Sequence, residues 1–172
     1  AARAALAGPW SKVTPIQRGR MIAKLAELVE QDAERLAQLE SLDVGMPIAE
    51  ARYIDVPFSV DILHYYAGWP TKITGDTIPV SFPRNFGGPY HAYTRREPVG
   101  VVAAIVPWNL PFMMAIKKLA PTLATGNTIV IKPAEQTPLA MARLADWSSR
   151  RGSPKASSTT SPVSVRRPVL LS

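Results

Sequence analysis

Two short apolar runs separated by one helical stretch constrain this chain more than any other feature. Val99 to Val106 is almost wholly apolar, and Thr128 to Ile131 repeats the pattern. Runs this short, without polar alternation, read as strands buried on both faces of a parallel sheet. Between them, Leu110 to Thr125 carries Met113, Ile116, Leu119 and Ala120 at helical spacing and ends at Gly126-Asn127, a strong C-terminal stop. Parallel strands need a crossover connection, and a helix between two such strands is a right-handed β-α-β unit. The expected fold class is therefore α/β, a Rossmann-like parallel sheet covered by helices.

Upstream the chain reads as helical. Thr14-Pro15-Ile16-Gln17 is a capping box with proline at the first helical position, followed by Met21, Ile22, Leu25, Leu28 and Val29 on one face. Ala33, Leu36, Leu39 and Leu42 predict a second buried stripe that stops at Gly45 and Pro47. A third helix is expected from about Ile48 to Ala67, kinked or broken at Pro57. From Thr71 to Pro89 the glycines and prolines forbid regular helix and predict an irregular excursion with short strands, after which Tyr90 to Arg96 reads as a strand. Gln136-Thr137-Pro138 predicts the cap of a further helix through Asp146, whose hydrophobic face begins and is not completed.

In open parallel sheets ligands bind beyond the carboxyl ends of the strands, so the residues following each strand matter most. After the first come Pro107-Trp108-Asn109, an aromatic and an amide at the start of a helix; after the second come Lys132-Pro133-Ala134-Glu135, a cation and a carboxylate. Free backbone donors at a helix start suit anionic groups, and a carboxylate in the second position can accept both hydroxyl hydrogen bonds of an adenosine ribose. The same residues also fit a plainer reading: Trp108 in the core, Asn109 as a helix cap, and Lys132 with Glu135 as a surface pair. No G-x-G-x-x-G follows Val106, so an ordinary dinucleotide phosphate turn is disfavoured. His64 and His91 lack ligand-spaced partners and read as structural or surface residues, so no metal site is expected.

Composition bounds the function classes. With 172 residues, 47% of them hydrophobic and 19% charged, the chain can bury a core of ordinary size. Neither a transmembrane span nor a signal peptide is readable, and the expected compartment is cytoplasmic, with no membrane partner. Zero cysteines exclude disulfides and a thiol nucleophile within these residues. The net charge of +7 invites a nucleic-acid reading, but residues 1–146 carry only +2 and residues 147–172 carry +5 with no acid. The body has a balanced surface with no recognised nucleic-acid motif, so no nucleic-acid partner is expected. The last 26 residues, rich in serine and without periodicity, read as a disordered basic tail.

Four blocks then carry a family resemblance: Ile105-Val106-Pro107-Trp108-Asn109-Leu110-Pro111, Lys118-Leu119-Ala120-Pro121, Ala124-Thr125-Gly126-Asn127-Thr128 and Lys132-Pro133-Ala134-Glu135-Gln136-Thr137-Pro138. In order and spacing they resemble the NAD(P)-dependent aldehyde dehydrogenases. The likeness extends upstream through Arg95-Arg96-Glu97-Pro98-Val99-Gly100 and Tyr65-Tyr66-Ala67-Gly68-Trp69 to Gly8-Pro9-Trp10, over residues 1–146. It implies an incomplete cofactor domain, NAD or NADP as cofactor, and a small-molecule aldehyde as substrate. In that family a cysteine attacks the aldehyde, a side-chain amide stabilises the oxyanion, and a glutamate activates water. The resemblance makes Asn109 the oxyanion amide and Lys118 the lysine behind it. Lys132 and Glu135, with Pro133 and Ala134 between them, become the ribose-holding segment, and Ile105, Val106, Pro107 and Trp108 line the cofactor cleft. Lys117 departs from the family, which often has Trp there. The segment at about 76–98 resembles the family's oligomerisation excursion, implying a homodimer or homotetramer for a complete enzyme.

The likeness stops at Asp146, which suggests a frameshift. Read from the third base of the Arg151 codon, Arg151-Gly152-Ser153-Pro154-Lys155-Ala156 permits Gly-Phe-Pro-Glu-Gly, a string this family shows after that helix. The segments with the nucleophilic cysteine and the general-base glutamate would then lie beyond the break, leaving an inactive and poorly stable N-terminal fragment.

Overall fold

The structure is a computed structural model that describes residues 2–83 and 89–150 together with the backbone of residues 163–165. Helix α1 (Ala2–Ala7) and a 3-10 turn (Pro9–Lys12) lead into α2 (Pro15–Gln31) and α3 (Ala33–Val44). The capping box forms as the sequence predicts: the Thr14 N–H donates to Gln17 Oε1 at 2.8 Å, and the Gln17 N–H donates back to Thr14 Oγ1 at 3.4 Å. Gly45 closes α3 at φ 78°, a conformation that costs glycine little because it has no Cβ.

The buried stripe of α3 differs from the expected one. Leu36 and Ala37 are buried, but Leu42 is 78% exposed, and the next buried position is Glu40. The stripe therefore follows positions 36, 37 and 40, one helical face, with a carboxylate inside it. The third helical stretch is not broken at Pro57. Short α4 (Ile48–Glu50) passes into a π-helical turn (Ala51–Asp55) and then α5 (Val56–Ala67), with Pro57 in the first turn of α5. The widened turn accommodates a residue that cannot donate and whose ring needs room.

The excursion forms a two-stranded antiparallel ribbon, β1 (Thr77–Ile78) with β2 (Ala92–Tyr93). The strand expected over Tyr90 to Arg96 is thus reduced to two residues; its partner is equally short, and among the described residues no third strand supports either.

The predicted β-α-β unit is present. β3 (Val101–Ile105) pairs in parallel with β4 (Thr128–Lys132), and α6 (Pro111–Ala124) connects them. Met113, Ile116, Leu119 and Ala120 all point into the core, as their spacing predicts. β3 is less buried than expected: Ala104 and Val106 are covered, but Val101 is 40% and Ile105 76% exposed. β3 is an edge strand among the described residues, and Val101, Ala103 and Ile105 on one of its faces are exposed. β4 lies between β3 and β5 (Val163–Val165), which is also parallel.

The composition change at Asp146 is not a break in the structure. α7 (Leu139–Arg150) continues past it, and Trp147 completes the face of Ala140, Met141 and Leu144, all buried. Arg143 holds α7 to the N-terminal helices, donating to Asp32 Oδ2 at 2.6 Å with its guanidinium over the Trp147 ring. The expectation of a patternless tail thus fails at residues 147–150 and 163–165; the rest of it lies outside the described residues. No described helix is long and apolar enough to cross a membrane.

Candidate functional site

Parallel register decides which residues meet. Ile105 is opposite Lys132, and the Val106 N–H donates to the Lys132 carbonyl at 3.1 Å, so both strands end at one level. The turn after β3 and the turn after β4 therefore open at the same end of the sheet, the end where parallel folds bind ligands. Val106 and Pro133 are buried and anchor the two turns, while Pro107, Trp108, Asn109 and Glu135 are exposed and Lys132 and Ala134 half-buried. Trp108, at 58% exposure, is not a core residue.

Asn109 is not a helix cap. The N-cap of α6 is Leu110, without a side-chain cap hydrogen bond, and Pro111 follows it. Pro111 has no N–H to lose, and the next amides are the free donors of a helix start. The amide of Asn109 is thus carried on a turn fixed by the buried Val106 on one side and the buried Phe112 on the other. Lys118 lies farther along α6 on its exposed stripe, beside Lys117, whose ammonium sits 5.3 Å from the Phe58 ring centroid. The carbonyl of Lys118 accepts from Thr122 Oγ1 at 2.6 Å.

Lys132 and Glu135 do pair. Lys132 Nζ donates to Glu135 Oε1 at 2.5 Å and to the Pro133 carbonyl at 3.2 Å, and this bond holds the Glu135 carboxyl below its ordinary pKa. Glu135 is an ionised acceptor at neutral pH, which is the state hydroxyl recognition requires. A cleft of about 420 Å³ lies elsewhere: Tyr66, Trp69, Lys72, Arg96, Pro121 and Thr125 line it at the far end of α6. The strand-end site is instead an open surface. Among the described residues no cluster of three metal-ligating side chains occurs.

Sequence reasoning missed one feature behind this site. Glu40 and Asp55 are both fully buried, and their carboxyls face each other beneath the first turn of α6. The spacing of Glu40 from Leu36 and Ala37 was the available signal, since a charged residue on that face has nowhere to go but inward.

The aldehyde dehydrogenase family model matches residues 1–159. This chain belongs to the aldehyde dehydrogenase family. It is 50% identical over 134 residues to retinal dehydrogenase 2 of Mus musculus, covering 78% of this chain and 25% of that one. To phenylacetaldehyde dehydrogenase of Pseudomonas fluorescens it is 46% identical over 145 residues, covering 84% of this chain and 29% of the relative. The fold is similar to that of an aldehyde dehydrogenase from Bacillus cereus solved with NAD+, with a TM-score of 0.78 at 50% identity over 84% of this chain and 28% of that one. The chain thus spans under a third of the length of each of these three relatives, and the family match continues beyond Asp146.

Proposed function

We propose that this chain is the part of an NAD(P)-dependent aldehyde dehydrogenase that holds the adenosine end of the cofactor and carries the oxyanion amide. The observation that supports it is the shared level of the two strand ends, which sets Asn109 and the Lys132–Glu135 pair on one rim. The donor set suits a dinucleotide: an ionised carboxylate for ribose hydroxyls, an ammonium for oxygen acceptors, and an aromatic face at Trp108. When bound, the dinucleotide supplies a hydride acceptor. Glu135 accepts from the ribose hydroxyls, and Lys132 donates to them while keeping Glu135 ionised. Ile105, Val106, Pro107, Pro133 and Ala134 form the apolar wall. Asn109 donates its side-chain N–H to the oxygen that gains charge when an aldehyde carbonyl is attacked, and Lys118 supports that turn electrostatically.

The attacking thiol is not among these 172 residues, which hold no cysteine. In this reading the segment binds and positions but does not oxidise an aldehyde by itself. The β1–β2 ribbon is the edge through which copies of a complete enzyme pair. In the same reading the residues after Asp146 are the shifted frame of the family segment, which permits Gly-Phe-Pro-Glu-Gly from Arg151 on.

Calorimetric titration of the purified chain with NAD+, NADP+ and AMP tests the reading. NAD+ and AMP bind with similar affinity, NADP+ more weakly because its extra phosphate meets the Glu135 carboxylate. E135A lowers NAD+ affinity about 10- to 100-fold, the worth of hydrogen bonds to a charged acceptor. NAD+ binding that is unchanged in both E135A and K132A refutes the assignment.

A further inference from the structure

Glu40 on α3 and Asp55 at the end of the π-helical turn are both 0% exposed, yet among the other described residues none donates a hydrogen bond to either carboxyl. Two ionised carboxylates cannot share a dry site, and burial of a lone charge is costly. Their side chains are within hydrogen-bonding reach of each other, and one proton between them satisfies both groups at once. Every charged group facing the pair fits that arrangement. Asp43 on α3 and Glu50 on α4 add negative charge and oppose a second ionisation, while Lys117 on α6 favours a single anion at Asp55. From α6, the Phe112 N–H, a free donor of the first turn, is directed at the Glu40 carboxyl, though not close or straight enough for a full hydrogen bond.

We propose that Glu40 and Asp55 hold one shared proton, Glu40 donating to the Asp55 carboxylate, and that this neutral-plus-anion pair fixes the N-terminal turn of α6 and with it the orientation of Asn109. Both are positioning residues, acting through Phe112 and Leu110 rather than by touching a ligand. The relevance of Asn109 rests on the function proposed above; the shared proton and its grip on α6 do not. Burial is the first cause that raises both groups, Glu40 to about 8 and Asp55 to about 6, so the pair holds a proton at neutral pH. The π-turn is the geometric device: within it Tyr53 and Ile54 face solvent while Asp55 turns inward toward Glu40.

Carboxyl and amide NMR on the full 172-residue chain, labelled at Glu and Asp side chains and at backbone nitrogen, tests this between pH 4.5 and 9. The expected result is a Glu40 carboxyl that stays protonated through pH 6, with the Phe112 amide shifting in the same step in which Glu40 ionises. In E40Q the neutral amide replaces the shared proton, so the Phe112 step disappears while the Asn109 side-chain resonances keep their wild-type positions. In E40A those Asn109 resonances move. The proposal is overturned if both carboxyls ionise in the ordinary range below pH 5, if Phe112 does not follow the Glu40 step, or if E40A leaves the Asn109 resonances in place. Failure of NAD+ binding with the Phe112 step intact would refute the cofactor reading and leave the shared proton standing.

Discussion

Trp10 ties the start of the chain to the hinge between α6 and β4, and its removal should be felt throughout the sheet. Its indole is 5% exposed in the main core, and Nε1 donates to the buried Gly126 carbonyl at 2.9 Å across 116 residues of sequence. W10A deletes one of four tryptophan side chains and leaves a cavity in the main core; losses for such truncations run about 3–5 kcal/mol. W10F keeps most of the volume but strands the Gly126 carbonyl, which costs about 1–3 kcal/mol. Against a total stability of about 5–15 kcal/mol for a domain, W10A should bring the chain near its unfolding threshold in water. Urea unfolding followed by far-UV circular dichroism measures both losses without relying on tryptophan emission. If W10F matches wild type, or W10A costs under about 1 kcal/mol, the tie through Gly126 is not what fixes β4.

Gly126 itself sits at φ +84°, and a Cβ there would stand 3.0 Å from Pro98 Cγ and 3.4 Å from Arg18 Cζ. G126A should therefore lose more than the about 1–2 kcal/mol of left-handed strain alone, read as a lower urea midpoint; a neutral outcome would contradict the tight packing. The Glu40–Asp55 pair gives stability a definite slope with pH. Both groups are raised in the folded state, so the native protein holds more protons than the unfolded chain, and stability is fully present below about pH 4 and lost as pH rises through about 8. Urea midpoints at pH 5, 7 and 9 should fall in that order, by at most about 1.4 kcal/mol per pH unit for one proton, and E40Q should flatten the trend. Rising midpoints over that range would reverse the assignment. D32A releases the 2.6 Å contact with Arg143, 26% and 19% exposed for the two side chains, and should cost about 1 kcal/mol or more by the same assay.

The parts of the fold legible in the sequence are those that local periodicity encodes. Met113, Ile116, Leu119 and Ala120 share a helical face wherever that face points, and Thr14 with Gln17 satisfies the same donors in isolation as in the protein. What covers a face is a tertiary fact, and there the sequence was silent. Ile105 and Val101 look as apolar as Ile129 and Ile131, yet only the latter lie between two neighbouring strands. Leu42 loses its expected place to Glu40 because α5 and the π-turn pack one position around the helix from the apolar stripe. The candidate site was better resolved, since residues after parallel strands converge by topology alone. The sequence offers Asn109 as a cap or a donor and the structure gives the cap to Leu110, while Lys132 with Glu135 forms the surface pair that the plain reading also expects.

The proposed role gives this segment the cofactor rim and the oxyanion amide of an aldehyde dehydrogenase. It is tested by grafting residues 1–146 into the Bacillus cereus aldehyde dehydrogenase, 50% identical in sequence, in place of that enzyme's matching part, and following NADH formation from an aldehyde. The chimera should be active, and its kcat should fall about 100- to 1000-fold in N109A with NAD+ affinity unchanged. A folded, NAD+-binding chimera in which N109A is fully active would contradict it.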